Sequence, residues 1–169
     1  LDCFRELIKR NFKIILSPHE VSPDNISRLQ KDLDLHHFSY QLLSKQNDFL
    51  QISIDKDLFI IDKIGYLADA YRDADVAFVG GSFKEKVHSV MEPLCCGLPV
   101  ITGPNYKNNP EAVKYQKSYV FAAHNAEDII AISDKITSYT KDEKNEISSE
   151  MRKNKNASQK VLSLLQTQF

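Results

Sequence analysis

Short, uninterrupted apolar runs constrain the fold of this chain most strongly. They lie within residues 14–16, 58–62, 75–79, 98–102 and 119–122, and helical segments separate them. Runs without polar alternation are typical of strands in a parallel sheet, because helices cover both faces of such a sheet. The sequence therefore predicts an α/β fold in which a parallel sheet carries helices on both faces.

Helix signals lie between the predicted strands. Ser22 is a candidate N-cap and Pro23 suits the first helical position, where its missing N–H costs nothing. Gly97 is expected to end a short helix, because glycine accepts the left-handed conformation found there. The region from Phe38 to Leu50 carries only weak signals. The predicted helices are residues 2–10, a segment that starts at 22, residues 64–72, 90–96 and 111–117, and a helical tail at about 126–169.

Composition narrows the classes of function. The formal net charge is −1, which argues against a nucleic-acid partner. The three cysteines, Cys3, Cys95 and Cys96, have no C-x-x-C spacing, so we expect a reduced cytoplasmic chain without a zinc site. No apolar run approaches the roughly 18 residues that a membrane span needs, and no secretory signal opens the sequence.

The length and the first residues bear on domain organisation. A chain of 169 residues has the size of one domain, so we predict a single domain over residues 1–169. The sequence opens at Leu1, without methionine and directly in an amphipathic stretch. We therefore expect a fragment of a longer protein.

Candidate binding residues follow three of the predicted strands. They are Pro18-His19-Glu20, Gly80-Gly81-Ser82 and Gly103-Pro104-Asn105. Ligands of open parallel sheets bind in the crevice at the carboxyl ends of the strands. The sequence therefore places a candidate site at these three loops.

The segment from Val79 to Pro104 is the most informative. Gly80 and Gly81 allow a sharp turn and a close approach of the backbone to a ligand. The helix that follows is expected to attract a phosphate at its N-terminus, and Glu92 could accept hydrogen bonds from a ribose diol. A structural interpretation is equally open, since Ser89-x-x-Glu92 has the form of a capping box.

Other polar residues give weaker signals. His88 and His19 are polar loop residues when taken alone, and Lys86 could neutralise a phosphate or merely be solvated. The pair His36-His37 lacks a third metal ligand. No P-loop, G-x-S-x-G, H-E-x-x-H or G-x-G-x-x-G motif is present, so the pattern is that of a binding half without a complete active site.

The order of these motifs resembles the C-terminal domain of the 3-deoxy-D-manno-octulosonic acid (Kdo) transferases. Residues 57–83 (DLFIIDKIGYLADAYRDADVAFVGGSF) match a strand, a helix and the family's A-D-x-A-F-V-G-G-S strand. Residues 88–108 (HSVMEPLCCGLPVITGPNYKN) match its H-N-x-x-E-P helix, G-x-P-V strand and G-P-x-x-x-N turn. The match extends from Pro18 to about Val120.

The resemblance implies a Rossmann-like fold, the C-terminal domain of a GT-B glycosyltransferase. Such an enzyme transfers Kdo from CMP-Kdo to a lipid A precursor with inversion, without a cofactor or a catalytic metal. Gly80, Gly81 and Ser82 would border the donor phosphate or sugar, and Glu92 would hold the ribose. The other residues expected near the donor are His19, Lys86, His88, Ser89, Asn105 and Asn109.

The resemblance also implies what lies outside this sequence. The catalytic carboxylate and the lipid A precursor site belong to an N-terminal domain, so no catalytic residue is assigned here. The first strand of the C-terminal domain is absent too, and residues 1–10 would form the helix after it. The isolated fragment is predicted to be inactive. The full-length protein would lie on the cytoplasmic face of the bacterial inner membrane.

Two positions depart from the family pattern. Lys86-Val87 stands where a glycine usually leads into the histidine, and Ser89 replaces the asparagine after it. Two alternatives therefore stay open. One is a GT-B domain that uses a UDP- or GDP-sugar, and the other is a non-catalytic nucleotide-binding or interaction domain.

Overall fold

The computed structural model describes residues 1–45 and 56–153. The chain divides into two compact units, Leu1–Asp73 and Ala74–Phe169. The strands are β1 Ile14–Leu16, β2 Tyr40–Leu42, β3 Leu58–Ile60, β4 Ala77–Val79, β5 Val100–Thr102 and β6 Val120–Ala122. The helices are α1 Asp2–Lys9, α2 Pro23–Leu35, α3 Leu67–Asp73, α4 Met91–Cys95, α5 Pro110–Lys114, α6 Ala126–Ile136 and α7 Lys141–Lys153.

The first unit contains a three-stranded parallel sheet with β3 in the centre. Leu58 and Ile60 pack with Leu33 of α2 in one apolar cluster. Phe59 packs with Ala70 of α3 in a second cluster. Because side chains alternate along a strand, these clusters lie on opposite faces of β3. Helices therefore cover both faces of this sheet, as the sequence predicts.

The second unit contains another three-stranded parallel sheet, in the order β4-β5-β6. In its register Val79 pairs with Thr102, and Thr102 pairs with Ala122. The carboxyl ends of the three strands therefore lie side by side in the sheet. The loops after β4 and β5 consequently leave the sheet at one edge.

Helix α4 ends in a Schellman motif, as the glycine at its end predicts. Gly97 has φ +83°. Its N–H donates to the Leu94 carbonyl at 2.9 Å, and the Leu98 N–H donates to the Pro93 carbonyl at 3.0 Å. This pair of bonds satisfies carbonyls at the end of the helix. A Cβ on Gly97 would lie 2.5 Å from the Lys144 carbonyl oxygen, so α7 packs directly on this turn.

The structure differs from the sequence prediction in several places. β2 was not predicted, because it lies in the weak region after Phe38. α3 begins at Leu67, three residues later than predicted, and α5 ends at Lys114 rather than at residue 117. The predicted tail contains α6 and α7, while its part after Lys153 lies outside the described residues, as do residues 46–50 of the weak region. The single domain over residues 1–169 stays a prediction.

Among residues 1–45 and 56–153, no helix combines the length and the apolar composition that crossing a bilayer requires. Within the same residues, no three His, Cys, Asp or Glu side chains gather as they would around a metal ion.

Candidate functional site

Ser82 joins the loop after β4 to the loop after β5. Its side chain is fully buried, and its hydroxyl oxygen accepts a hydrogen bond from the Gly103 N–H at 2.6 Å. The Ser82 carbonyl accepts a second bond from the Asn105 N–H at 3.0 Å. The hydroxyl is thus engaged inside the protein. The predicted contact of Ser82 with a donor stays a prediction.

Gly81 lets the loop after β4 fold back on itself. Its φ is +91°, and a Cβ at this position would overlap the Lys86 carbonyl oxygen and lie 3.1 Å from the His88 Nε2 atom. The Gly81 carbonyl accepts from the N–H groups of Lys84 and Glu85 at 3.0 and 3.1 Å. Only a residue without a side chain permits this closure. The closed turn brings Lys86 and His88 to the edge of the sheet.

Gly80 differs from its neighbour. A Cβ on Gly80 would meet no atom within 4 Å, so space for a ligand lies beside its backbone. The Gly80 carbonyl accepts from the His88 N–H at 3.4 Å, which closes the base of the loop. A ligand group can therefore approach the backbone at Gly80, whereas the Cβ side of Gly81 is filled by the Lys86 carbonyl and the His88 ring.

Two consecutive asparagines contact the far end of this loop. The Asn109 Nδ2 atom donates to the His88 carbonyl at 3.1 Å, and the Asn108 Nδ2 atom lies 3.5 Å from the Val87 carbonyl oxygen. The Asn109 side-chain oxygen also accepts from the Ala112 N–H at 2.9 Å, as the N-cap of α5. The structure thus brings Asn109 next to His88.

Glu92 does not take part in a capping box. The N-cap of α4 is Val90, and no side chain caps the helix. The reason is Pro93, which has no N–H to donate to the Ser89 carbonyl. The first helical bond is therefore Leu94 N–H to the Val90 carbonyl at 3.3 Å. The capping-box interpretation is wrong, and the Glu92 carboxylate is exposed in the first turn.

A capping box does form at the start of α7. Glu143 Oε2 accepts from the N–H and the hydroxyl of Thr140 at 2.6 and 2.8 Å. The Thr140 hydroxyl oxygen in turn accepts from the Glu143 N–H at 3.3 Å. The hydrogen bonds from the Thr140 backbone and side chain lower the pKa of the Glu143 carboxyl. The same sequence pattern thus caps α7 and leaves α4 without a cap.

The other predicted residues lie on the surface. Lys86, Ser89 and Asn105 are exposed in the second unit. His19 is exposed in the first unit, three residues after the end of β1. Its neighbour Glu20 accepts a hydrogen bond from the Asn25 side chain at 2.8 Å. A contribution of His19 to the same site stays a prediction.

Sequence reasoning missed Phe83 and Thr102. A Cβ on Gly103 would lie 2.7 Å from the Phe83 ring, so this glycine is required where the two loops touch. Phe83 also stacks on Phe78, with the ring centroids 6.3 Å apart. The Thr102 hydroxyl is buried without a hydrogen-bond partner among the described residues. Neither feature has a local sequence signal, because each depends on the contact between loops.

Removing the Ser82 hydroxyl is expected to destabilise the protein. Ser82→Ala leaves the buried Gly103 N–H without an acceptor, at a cost of about 1–3 kcal/mol. The melting temperature should fall by roughly 3–10 °C, measured by calorimetry. Ser89→Ala is the control, since Ser89 is exposed in the same loop. Equal melting temperatures for the two variants would contradict a stabilising role of the Ser82 hydroxyl.

A comparison with protein families decides the classification. The model described as "Glycosyl transferases group 1" matches residues 44–159, which is more than half of the chain. The chain belongs to the group 1 glycosyl transferases. The parallel sheets of this family member are in keeping with the α/β fold that the sequence predicts.

Curated relatives of this chain carry a more specific name. A 3-deoxy-D-manno-octulosonic acid transferase of Chlamydophila psittaci is 37% identical over 113 residues, 66% of this chain and 24% of the relative. The enzyme of the same name from Rickettsia prowazekii is 28% identical over 132 residues, 77% of this chain and 26% of the relative. The predicted resemblance to Kdo transferases is confirmed. The chain spans about a quarter of the length of these relatives.

A solved structure has the same fold. The C-terminal CMP-Kdo binding domain of WaaA from Acinetobacter baumannii matches with a TM-score of 0.73 at 19% sequence identity. The match covers 90% of this chain and 79% of that domain. The fold expected from the resemblance, that of the C-terminal domain of a GT-B glycosyltransferase, is therefore confirmed.

Proposed function

We propose that this chain is the donor-binding part of a Kdo transferase and binds CMP-Kdo. The observation that carries the proposal is the 37% identity to a Kdo transferase over 113 residues. The site geometry supports it. Open space beside Gly80, the exposed Lys86 and the exposed Glu92 belong to the loop and helix that follow β4.

The chemistry of these groups suits a nucleotide donor. A phosphate bears negative charge, which the Lys86 ammonium attracts, and the backbone beside Gly80 offers room for a close approach. A carboxylate accepts charge-assisted hydrogen bonds from hydroxyl groups. Because Glu92 caps no helix, its carboxylate is available to a ribose diol. The donor is a substrate, and the proposal needs neither a cofactor nor a metal.

The transfer itself involves residues beyond this chain. A Kdo transferase moves Kdo from CMP-Kdo to a hydroxyl of a lipid A precursor, and CMP leaves. We assign the acceptor site and the catalytic carboxylate to the part of the enzyme that this chain does not cover. The complete enzyme would act on the cytoplasmic face of the inner membrane.

Glu92→Gln is expected to weaken CMP binding about 10- to 100-fold, because hydrogen bonds to a charged group contribute about 1.5–3 kcal/mol. The melting temperature should not change, since the side chain is exposed and caps nothing. Isothermal titration of the chain with CMP, UMP and GMP measures both the affinity and the preference of the site. We expect wild-type chain to prefer CMP.

Glu143→Gln is a matched control. It removes the same charge in the second unit and leaves a weaker, neutral acceptor in the capping box of α7, so it should lower the melting temperature slightly and leave CMP binding unchanged. Tighter binding of UMP or GMP by the wild-type chain would point to another sugar donor. Absence of binding by all three nucleotides would favour a non-catalytic domain.

A further inference from the structure

The Asn109 side chain makes two hydrogen bonds with different roles. Its side-chain oxygen accepts from the Ala112 N–H, which caps α5. Its side-chain amide donates to the His88 carbonyl, 21 residues earlier in the chain. The first bond stabilises a helix of the same segment. The second bond fixes the far end of the loop that begins at Gly80.

Two other hydrogen bonds described above also hold this end of the loop. The bond from Asn109 to His88 is shorter, at 3.1 Å, than the bond from the His88 N–H to Gly80 at 3.4 Å and the bond from Asn108 to Val87 at 3.5 Å. His88 is exposed, as are the residues from Phe83 to Lys86. The His88 ring lies against the position where a Cβ on Gly81 would stand. The position of this ring therefore depends on the backbone at His88, which the Asn109 amide contacts directly. A change at Asn109 that spares the cap should move the loop and leave the helix intact.

We propose that Asn109 is a positioning residue, which acts through the loop backbone to hold the His88 ring in its nucleotide-binding position and does not itself contact the nucleotide. This role differs from the direct donor contact that the resemblance implies. The inference rests on the proposed function, because it assumes that the His88 loop binds the donor.

Asn109→Asp separates the two bonds. Aspartate caps a helix as well as asparagine does, but a carboxylate cannot donate to the His88 carbonyl. We expect a CMP affinity about fivefold weaker, as for the loss of one hydrogen bond. The melting temperature should fall only slightly, because this bond is exposed and water can replace the amide donor. Asn109→Ser keeps a capping oxygen on a shorter side chain that carries no amide donor, so it should show the same loss without the added charge.

Asn125→Asp is the matched control for these variants. Asn125 is the N-cap of α6 and accepts from the Asp128 N–H at 2.8 Å. The control therefore introduces the same charge at an equivalent helix position in the same unit. It should leave CMP binding unchanged.

A double-mutant cycle with His88→Ala tests whether Asn109 acts through His88. The backbone carbonyl survives in His88→Ala, while the ring is removed. We expect Asn109→Asp to weaken CMP binding in the wild-type background and to have little further effect in His88→Ala, because residues that act through one contact are not additive. An equal loss in both backgrounds would mean a direct nucleotide contact, and would overturn the proposal. Unchanged affinity in Asn109→Asp would overturn it as well.

Amide hydrogen exchange without ligand tests the positioning independently of CMP. Asn109→Asp should accelerate exchange at Lys84, Glu85 and His88, whose N–H groups bond within the loop, whereas Asn125→Asp should not. Unchanged exchange would overturn the positioning role even if CMP does not bind. Failure of the proposed function shows separately, as absence of CMP binding by the wild-type chain.

Discussion

Gly97→Ala is expected to destabilise the protein more than any other substitution considered. A Cβ at φ +83° is strained, and here it would also lie 2.5 Å from the Lys144 carbonyl oxygen. Left-handed strain costs about 1–2 kcal/mol, and forcing α7 away from the turn adds roughly 1–3 kcal/mol. We expect a melting temperature roughly 10 °C lower, since each kcal/mol shifts it by about 2–4 °C at this size.

Gly65→Ala isolates the backbone contribution. Gly65 has φ +97°, but a Cβ there would meet no atom within 4 Å. Its melting temperature should fall by only about 2–8 °C, from strain alone. Thermal denaturation followed by circular dichroism compares the two variants directly. If both lose the same stability, close packing of α7 on Gly97 is not the cause.

Gly81→Ala is expected to abolish most nucleotide binding. The added methyl group would overlap the Lys86 carbonyl oxygen and crowd the His88 ring. The loop must then open, which displaces both residues from the edge of the sheet. Losing about 2 kcal/mol of binding free energy in this way corresponds to a roughly 30-fold weaker CMP affinity.

Gly80→Ala is the adjacent control for loop closure. It lacks the left-handed φ of Gly81, and its Cβ would stand in open space, so the fold should be unaffected. Any change in CMP affinity measured by isothermal titration should then come from contact between the added methyl group and the ligand. Because the proposed donor site lies beside Gly80, a methyl group there should weaken CMP binding without changing the melting temperature, whereas Gly81→Ala should lower both. An unchanged CMP affinity in Gly80→Ala would contradict a ligand beside Gly80.

The strands of this chain were largely predictable because their burial leaves a direct mark on the sequence. The segment at Leu58–Ile60 is apolar throughout and is fully buried in the centre of its sheet. β2 was not predicted because Gln41 at its middle interrupts the apolar run. β1 is an equally half-buried edge strand, but its three residues are all apolar, so its sequence still indicates a strand.

The helix start beside Glu92 was predictable in principle. Ser89-x-x-Glu92 and Thr140-x-x-Glu143 are the same pattern, yet only the second forms a capping box. Pro93 decides the difference, because an N-cap at Ser89 would require a donor from the proline nitrogen. The roles of Ser82 and Asn109 were not predictable from spacing, since their partners lie 21 residues away.

The ties between the two loops bear on attempts to redesign this protein. Residues 80–88 and 103–109 are joined through Ser82 and Asn109, so a segment transplanted from a relative meets a mismatched partner unless its counterpart is transplanted with it. The two loops together are therefore the smallest segment that can be exchanged as a unit at this edge of the sheet. A library that varies donor specificity should recombine both loops as one block.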